Sequence, residues 1–226
     1  AGDYTSHGLS ISADGNRAYL ASGNDHGVLI LDISEIQARK DNPQVREVSS
    51  ISWDNQTIPQ NAIPFSRDGR SYLLEIDEFA RGGEVGAGRI IDIADETQPK
   101  VISELRLEVH NPEHFDTVAD DPGNQFIGQG YAGHYCNVSS RVDPDIAACS
   151  MIVSGLRVFD IRDPHNPREV AYYNPPLSNR AMPYLVASGY AMASPTIVPE
   201  RKEIWFSDIY TGFYAIRLTN GAWPDQ

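Results

Sequence analysis

Gly27-Val-Leu-Ile-Leu-Asp32-Ile-Ser, Ala87-Gly-Arg-Ile-Ile-Asp92-Ile-Ala, Gly155-Leu-Arg-Val-Phe-Asp160-Ile-Arg and Gly212-Phe-Tyr-Ala-Ile-Arg217-Leu-Thr are four copies of one phrase, the last with Arg217 where the others carry Asp. A small residue opens each copy, an apolar run follows, and a polar position closes it. The closing positions lie 60, 68 and 57 residues apart. Periods of that size point to a repeat architecture, which has to be settled before any site is considered.

A second unit precedes each phrase. It reads Ser12-Ala-Asp-Gly-Asn-Arg-Ala-Tyr-Leu20 in the first copy and Ser66-Arg-Asp-Gly-Arg-Ser-Tyr-Leu73 in the second, with Ala119-Asp-Asp-Pro-Gly-Asn-Gln-Phe-Ile127 and Val198-Pro-Glu-Arg-Lys-Glu-Ile-Trp-Phe206 as the further copies. A strand, a tight polar turn and an aromatic-led strand make a hairpin. The apolar phrase supplies a third strand, and Val45 to Ile51, Val101 to Leu107 and Val170 to Tyr173 supply a fourth. Four antiparallel strands repeated four times is an all-β pattern of propeller blades. The predicted blades cover 6–52, 61–109, 113–174 and 192–220, with inserted loops at 136–149 and 174–192.

Val158-Phe-Asp-Ile-Arg-Asp-Pro-His-Asn-Pro-Arg-Glu-Val170 and Ile91-Asp-Ile-Ala-Asp-Glu-Thr-Gln-Pro-Lys-Val101 resemble the LVIVD-repeat β-propeller proteins, and the resemblance spans essentially the whole chain. It implies a surface or secreted protein and says little about chemistry, because the repeat encodes blade packing. Such proteins usually carry more than four blades. The resemblance therefore implies a C-terminal portion of a larger propeller, or a partner chain that covers its open edges. The closing Asp residues read as turn residues that accept backbone N–H groups, with Pro99 and Pro167 stopping one strand ahead of the next.

The formal net charge is −13, which speaks against nucleic acid or an anionic membrane as the main partner. No apolar run approaches the roughly 18 residues of a membrane helix. Cys136 and Cys149 flank the 136–149 stretch, and a disulfide at the neck of a loop is the favoured reading, with metal-binding or free thiols as the alternative. Closure of a loop that size stabilises by about 3 kcal/mol in the entropy model.

Aligning the repeats on Asp14, Asp68, Asp121 and Glu200 places His7, Asn61, His114 and Ala193 at one position, the start of each innermost strand, where a propeller has its central channel. His110-Asn-Pro-Glu-His114 and Gly133-His134 lie beside that ring. Imidazoles with a carboxylate form the ligand set of zinc, copper or iron, and Glu75, Asp77 and Glu78 stand ready to orient them. His7, His114, His110 and His134 are accordingly the candidate metal ligands, and a structural calcium in the channel is a second cofactor expectation. A distant architectural similarity to selenium-binding protein and methanethiol oxidase propellers adds to the metal reading. Strand alternation also sets Glu75 and Asp77 on one face, as a paired-acid site or an exposed acidic strand end.

The stretch from Tyr172 to Met192 departs from the repeat and is rich in Tyr, Pro and Met. Tyr172, Tyr173, Arg180 and Tyr184 are the candidate contacts for a protein or glycan partner. Two functions follow: a secreted or cell-surface binding scaffold working through its loops, or a metal-dependent enzyme with histidines at the channel.

Overall fold

A computed structural model describes residues 6–22, 27–54, 56–78, 86–118, 120, 130–175, 190–208 and 212–224. Fifteen strands among them form four antiparallel sheets. The first sheet holds Ser6–Ile11 (β1), Arg17–Ser22 (β2), Gly27–Asp32 (β3) and Arg46–Ile51 (β4). The second holds Pro59–Arg67 (β5), Arg70–Asp77 (β6), Gly88–Asp92 (β7) and Lys100–Leu105 (β8). The third holds Tyr135–Val138 (β9), Ile146–Ser150 (β10), Leu156–Asp160 (β11) and Arg168–Tyr173 (β12), and the fourth Thr196–Val198 (β13), Glu203–Ser207 (β14) and Phe213–Arg217 (β15). In each sheet the strands follow one another in chain order. The first strands of successive sheets lie against one another, β1 on β5, β5 on β9 and β9 on β13, so they line the axis of a propeller-like assembly.

The repeated phrase is the third strand of each sheet, and in the first three sheets its apolar run is buried, with neighbouring sheets packed against it. One core cluster, with Tyr19, Val28, Ile30, Leu73 and Ile91, joins the first two sheets. A second, with Leu74, Ile76, Ile90, Leu105 and Phe159, joins the second to the third, and a third, with Ile146, Val158, Ile204 and Phe206, joins the third to the fourth.

The closing Asp does the same job three times. Asp32, Asp92 and Asp160 each accept the N–H two residues on, from Ser34, Ala94 and Arg162, at 2.9, 2.9 and 3.0 Å. These Asx turns end the strand before Pro99 and Pro167, directly ahead of β8 and β12. A register shift between third and fourth strands also recurs at one place, Ile30/Leu31, Ile90/Ile91 and Val158/Phe159.

The third sheet differs from the expectation. It begins at Tyr135 and not near residue 113, and the 136–149 stretch is its first hairpin, not a loop inserted between its second and third strands. Cys136 and Cys149 are directly opposed on β9 and β10 and form a disulfide. The Asp-Asp-Pro-Gly sequence at 120–123 looked like the hairpin turn. The chain instead turns at Asp143, which adopts φ +45° and whose carboxylate accepts the Asp68 N–H of the neighbouring hairpin at 2.8 Å. Residues 112–118 form a short 3-10 helix.

Candidate functional site

Cross-strand pairing defines which residues share the axial position. In the first sheet the ladder jumps from Ser6↔Ser22 to Gly8↔Ala21, leaving His7 as the bulged residue. In the second it jumps from Pro59↔Asp77 to Asn61↔Ile76, leaving Gln60. Measured from the paired ends of the second and third strands, His134 and Ala193 take the same place in the third and fourth sheets; the backbone N–H of each donates to the matching residue of its second strand, Ser150 and Ser207. The ring is therefore His7, Gln60, His134 and Ala193. It corrects the expected ring at two positions. Asn61 is displaced by one residue because the first hairpin loop is longer than the two-residue turn at Asp68-Gly69, and His114 sits in the 3-10 helix and not on an innermost strand. Bulges re-aim side chains, and here they turn His7 and Gln60. The backbones approach closely at this point: a Cβ on Gly8 would lie 2.1 Å from the Gln60 carbonyl oxygen, so only glycine fits.

Glu78, just beyond β6, joins this ring. It is 6 % exposed, its backbone N–H donates to Ile58 and its carbonyl accepts the Thr57 hydroxyl. Gln60 Nε2 donates to Glu78 Oε2 at 2.5 Å. Burial pushes the Glu78 carboxyl up to about 7, so it exchanges a proton near neutrality. His134 faces it, with Nε2 3.8 Å from Glu78 Oε1. The His134 Nδ1 lies 2.5 Å from the Met192 carbonyl oxygen, an acceptor only, so Nδ1 carries the hydrogen and the Nε2 lone pair points to Glu78. Burial, with a smaller contribution from His7, lowers the His134 pKa and keeps the ring neutral. Tyr135 stands edge-on to His134 at 4.4 Å and 6.5 Å from His7. Buried acceptors without a partner among the described residues, Gln60 Oε1 and Asn61 Oδ1, lie on the same strand end.

A second ionic group occupies the opposite face of β6. Glu75 and Asp77 are fully buried, and Arg89 Nη1 reaches both carboxylates at 3.2 Å. The indole N–H of Trp53 donates to Asp77 at 3.0 Å, and the Arg89 guanidinium lies 4.5 Å from the Trp53 ring centroid. Burial and then the Asp77 charge raise the Glu75 pKa well above the usual carboxylate value. This is neither an exposed acidic strand end nor a cleft with room for substrate: the pair is sealed between the first two sheets.

The predicted metal ligands divide: His7 and His134 share the axial ring, whereas His110 and His114 lie in the 3-10 helices that follow β8. His110 is fully buried, its Nδ1 accepts the Leu107 N–H at 3.4 Å, and burial lowers its pKa to about 3. His114 lies 3.6 Å from Glu108 in the 3-10 region. Among the described residues no group of three or more His, Cys, Asp or Glu is placed to hold a metal ion, calcium included. Tyr172 is exposed on β12 with Arg157 over its ring at 4.9 Å, whereas Tyr173 packs into the core against Phe206 and Tyr214. Arg180 and Tyr184 lie outside the described residues. The residue that sequence reasoning missed is Gln60; its signal was the first hairpin's extra turn residue, which shifts the alignment by one.

No protein-family model and no curated protein matches the chain. Among solved structures it is similar to the computationally designed Ika4 protein, with 9 % identity, 97 % of this chain and 94 % of that one covered, and a TM-score of 0.54. It is also similar to a Bacteroides uniformis protein assigned as a 6-phosphogluconolactonase, with 13 % identity, coverage of 94 % and 53 %, and a TM-score of 0.54. The C-terminal domain of Pseudomonas aeruginosa PilY1 matches with 14 % identity, coverage of 84 % and 40 %, and a TM-score of 0.52. The chain thus spans about half of the second protein and two-fifths of the third. At these identities the likeness establishes the all-β, propeller-like fold alone.

Proposed function

We propose that this chain is an extracytoplasmic propeller of the LVIVD-repeat type that acts as a binding scaffold, with a glycan as the ligand of its axial end. The observation that carries this reading is the Glu78–His134 pair. Its 3.8 Å gap is too long for a direct hydrogen bond, and a hydroxyl group placed between the two can donate to the His134 lone pair while it accepts from a protonated Glu78. A sugar supplies such hydroxyls together with an apolar ring face, for which His7 and Tyr135 offer aromatic surface. The disulfide supports an oxidising compartment. The metal-enzyme alternative keeps only His7 and His134 of its four histidines at the axial ring.

Glycan-array screening followed by calorimetry on the best hit tests the proposal. Glu78→Ala and His134→Ala should each weaken binding by about tenfold, the scale of one neutral hydrogen bond, while the melting profile shows that the fold is retained. A hit whose affinity ignores both substitutions would remove the axial pair from the binding site, and release of a product during calorimetry would make the protein an enzyme.

A further inference from the structure

Among the described residues the fourth sheet holds three strands where the others hold four. In the other three, the third strand is covered by a fourth and its residues are largely buried; in β15, Phe213, Ala215 and Arg217 are exposed, Phe213 at 68 %. The ladder bonds from Leu218 to Lys202 and from Asp208 to Gly212 fix the alternation along β15. The backbone N–H and C=O groups of Phe213, Ala215 and Arg217 therefore point away from β14. Among the described residues no strand pairs with that edge, and an open edge of this kind is a template for another strand. A groove of about 610 Å³ runs beside it, lined by Val170, Tyr172, Ile216 and Leu218 among others.

The other sheets say what would fit. Their fourth strands read Arg46-Glu-Val-Ser-Ser-Ile51, Lys100-Val-Ile-Ser-Glu-Leu105 and Arg168-Glu-Val-Ala-Tyr-Tyr173, each opening on a base and carrying Val or Ile third. That base stands opposite the closing Asp of the third strand, as Asp32↔Arg46, Asp92↔Lys100 and Asp160↔Arg168. Across the first sheet the charges run Arg17, Asp32, Arg46, with Arg17 and Asp32 3.5 Å apart. Across the fourth they run Glu203, Arg217, with 2.7 Å between them, and the series is inverted. Arg201 also leans on Glu203, at 2.8 Å, so two guanidiniums share one carboxylate in a chain of net charge −13. The position opposite Arg217 calls for an acid.

We propose that β15 is a strand-docking site that takes an extended segment of a partner polypeptide as the fourth strand of this sheet. The segment opens on Asp or Glu opposite Arg217 and carries a β-branched residue two positions on, which fills the groove beside Ile216. Main-chain bonds to Phe213, Ala215 and Arg217 supply affinity, and alternate side chains supply selectivity.

The test uses two labelled peptides spanning residues 45–52, one with Asp in place of Arg46 and one unchanged, titrated to millimolar concentration. The acidic peptide should bind about fivefold more tightly, the scale of a cross-strand charge pair, and should slow hydrogen exchange at the amides of Phe213, Ala215 and Arg217. Arg217→Gln should abolish the preference, and Arg217→Glu should reverse it. No binding by either peptide, or a preference that survives Arg217→Gln, would overturn the proposal. A concentration-dependent dimer in analytical ultracentrifugation that protects the same amides without any peptide would overturn it in favour of a second copy as the occupant.

Discussion

Asp77 and Glu78 are neighbours in the chain, yet they belong to two different worlds. Strand alternation turns Asp77 with Glu75 toward the first sheet, where Arg89 and Trp53 close over them, and turns Glu78 toward the third sheet, where among the described residues Gln60 of β5 and His134 meet it. The first group has its cation; among the described residues Glu78 meets no Lys or Arg. A buried carboxyl next to a cation serves the fold, whereas one left facing a neutral imidazole across 3.8 Å holds a proton that can move.

The sharpest way to break this contrast is to remove the cation. Arg89→Ala leaves Glu75 and Asp77 buried without it and strips the Trp53 ring of its stacked guanidinium, and the expected loss is about 3–5 kcal/mol, read by denaturant unfolding. Glu78→Gln should cost less than 1 kcal/mol by the same measurement, as expected where no ion pair is broken. Comparable losses in the two variants would erase the distinction.

Reduction of the disulfide ranks second. Cys136 lies on β9, which carries Tyr135 and begins next to His134, and the bridge closes a separation of 13 residues. Reduction should lower stability by about 3 kcal/mol and loosen the axial pair with it. Full stability under reducing conditions would show that pairing of β9 with β10 suffices alone.

The third effect is smaller and depends on pH. The Glu75 pKa is raised in the fold, so its share of stability is complete below the unfolded carboxylate value and falls away as pH rises through the folded one. Glu75→Gln has no proton to lose. Its melting temperature should therefore decline less than the parent's between pH 5 and pH 9, with Asp77 left to balance Arg89, whereas parallel pH profiles would place Glu75 in an ordinary environment.

The sheets were legible where sequence and local chemistry agree. Gly27 to Asp32 and its copies announce a buried strand ending in an Asx turn, and each Asp32, Asp92 and Asp160 is seen accepting the amide that the pattern demands. The third sheet's first strand was not legible. Tyr135-Cys-Asn-Val138 is four residues long and half polar, and its pairing with Ile146–Ser150 is decided by burial against Phe65 and Ile76 from a distant part of the chain. The competing Asp-Pro-Gly turn at 121–123 obeyed local rules just as well. One misplaced turn carried His114 into the ring in place of His134, and one extra turn residue carried Asn61 there in place of Gln60; a register slip exchanges which side chain is presented. The sealed state of Glu75 and Asp77 was equally hidden, since Trp53 reaches Asp77 only through tertiary packing, although Arg89 stands directly opposite Glu75 on β7.

The most direct test is a ¹³C NMR titration of the Glu78 carboxyl, assigned by comparison with Glu78→Gln. A midpoint near 7, as burial imposes, together with a His134 ring that stays neutral through the same range, is the result this account predicts. A midpoint near the ordinary 4.5 would contradict it, because a carboxylate already ionised at neutral pH has no proton to share with a ligand held between Glu78 and His134.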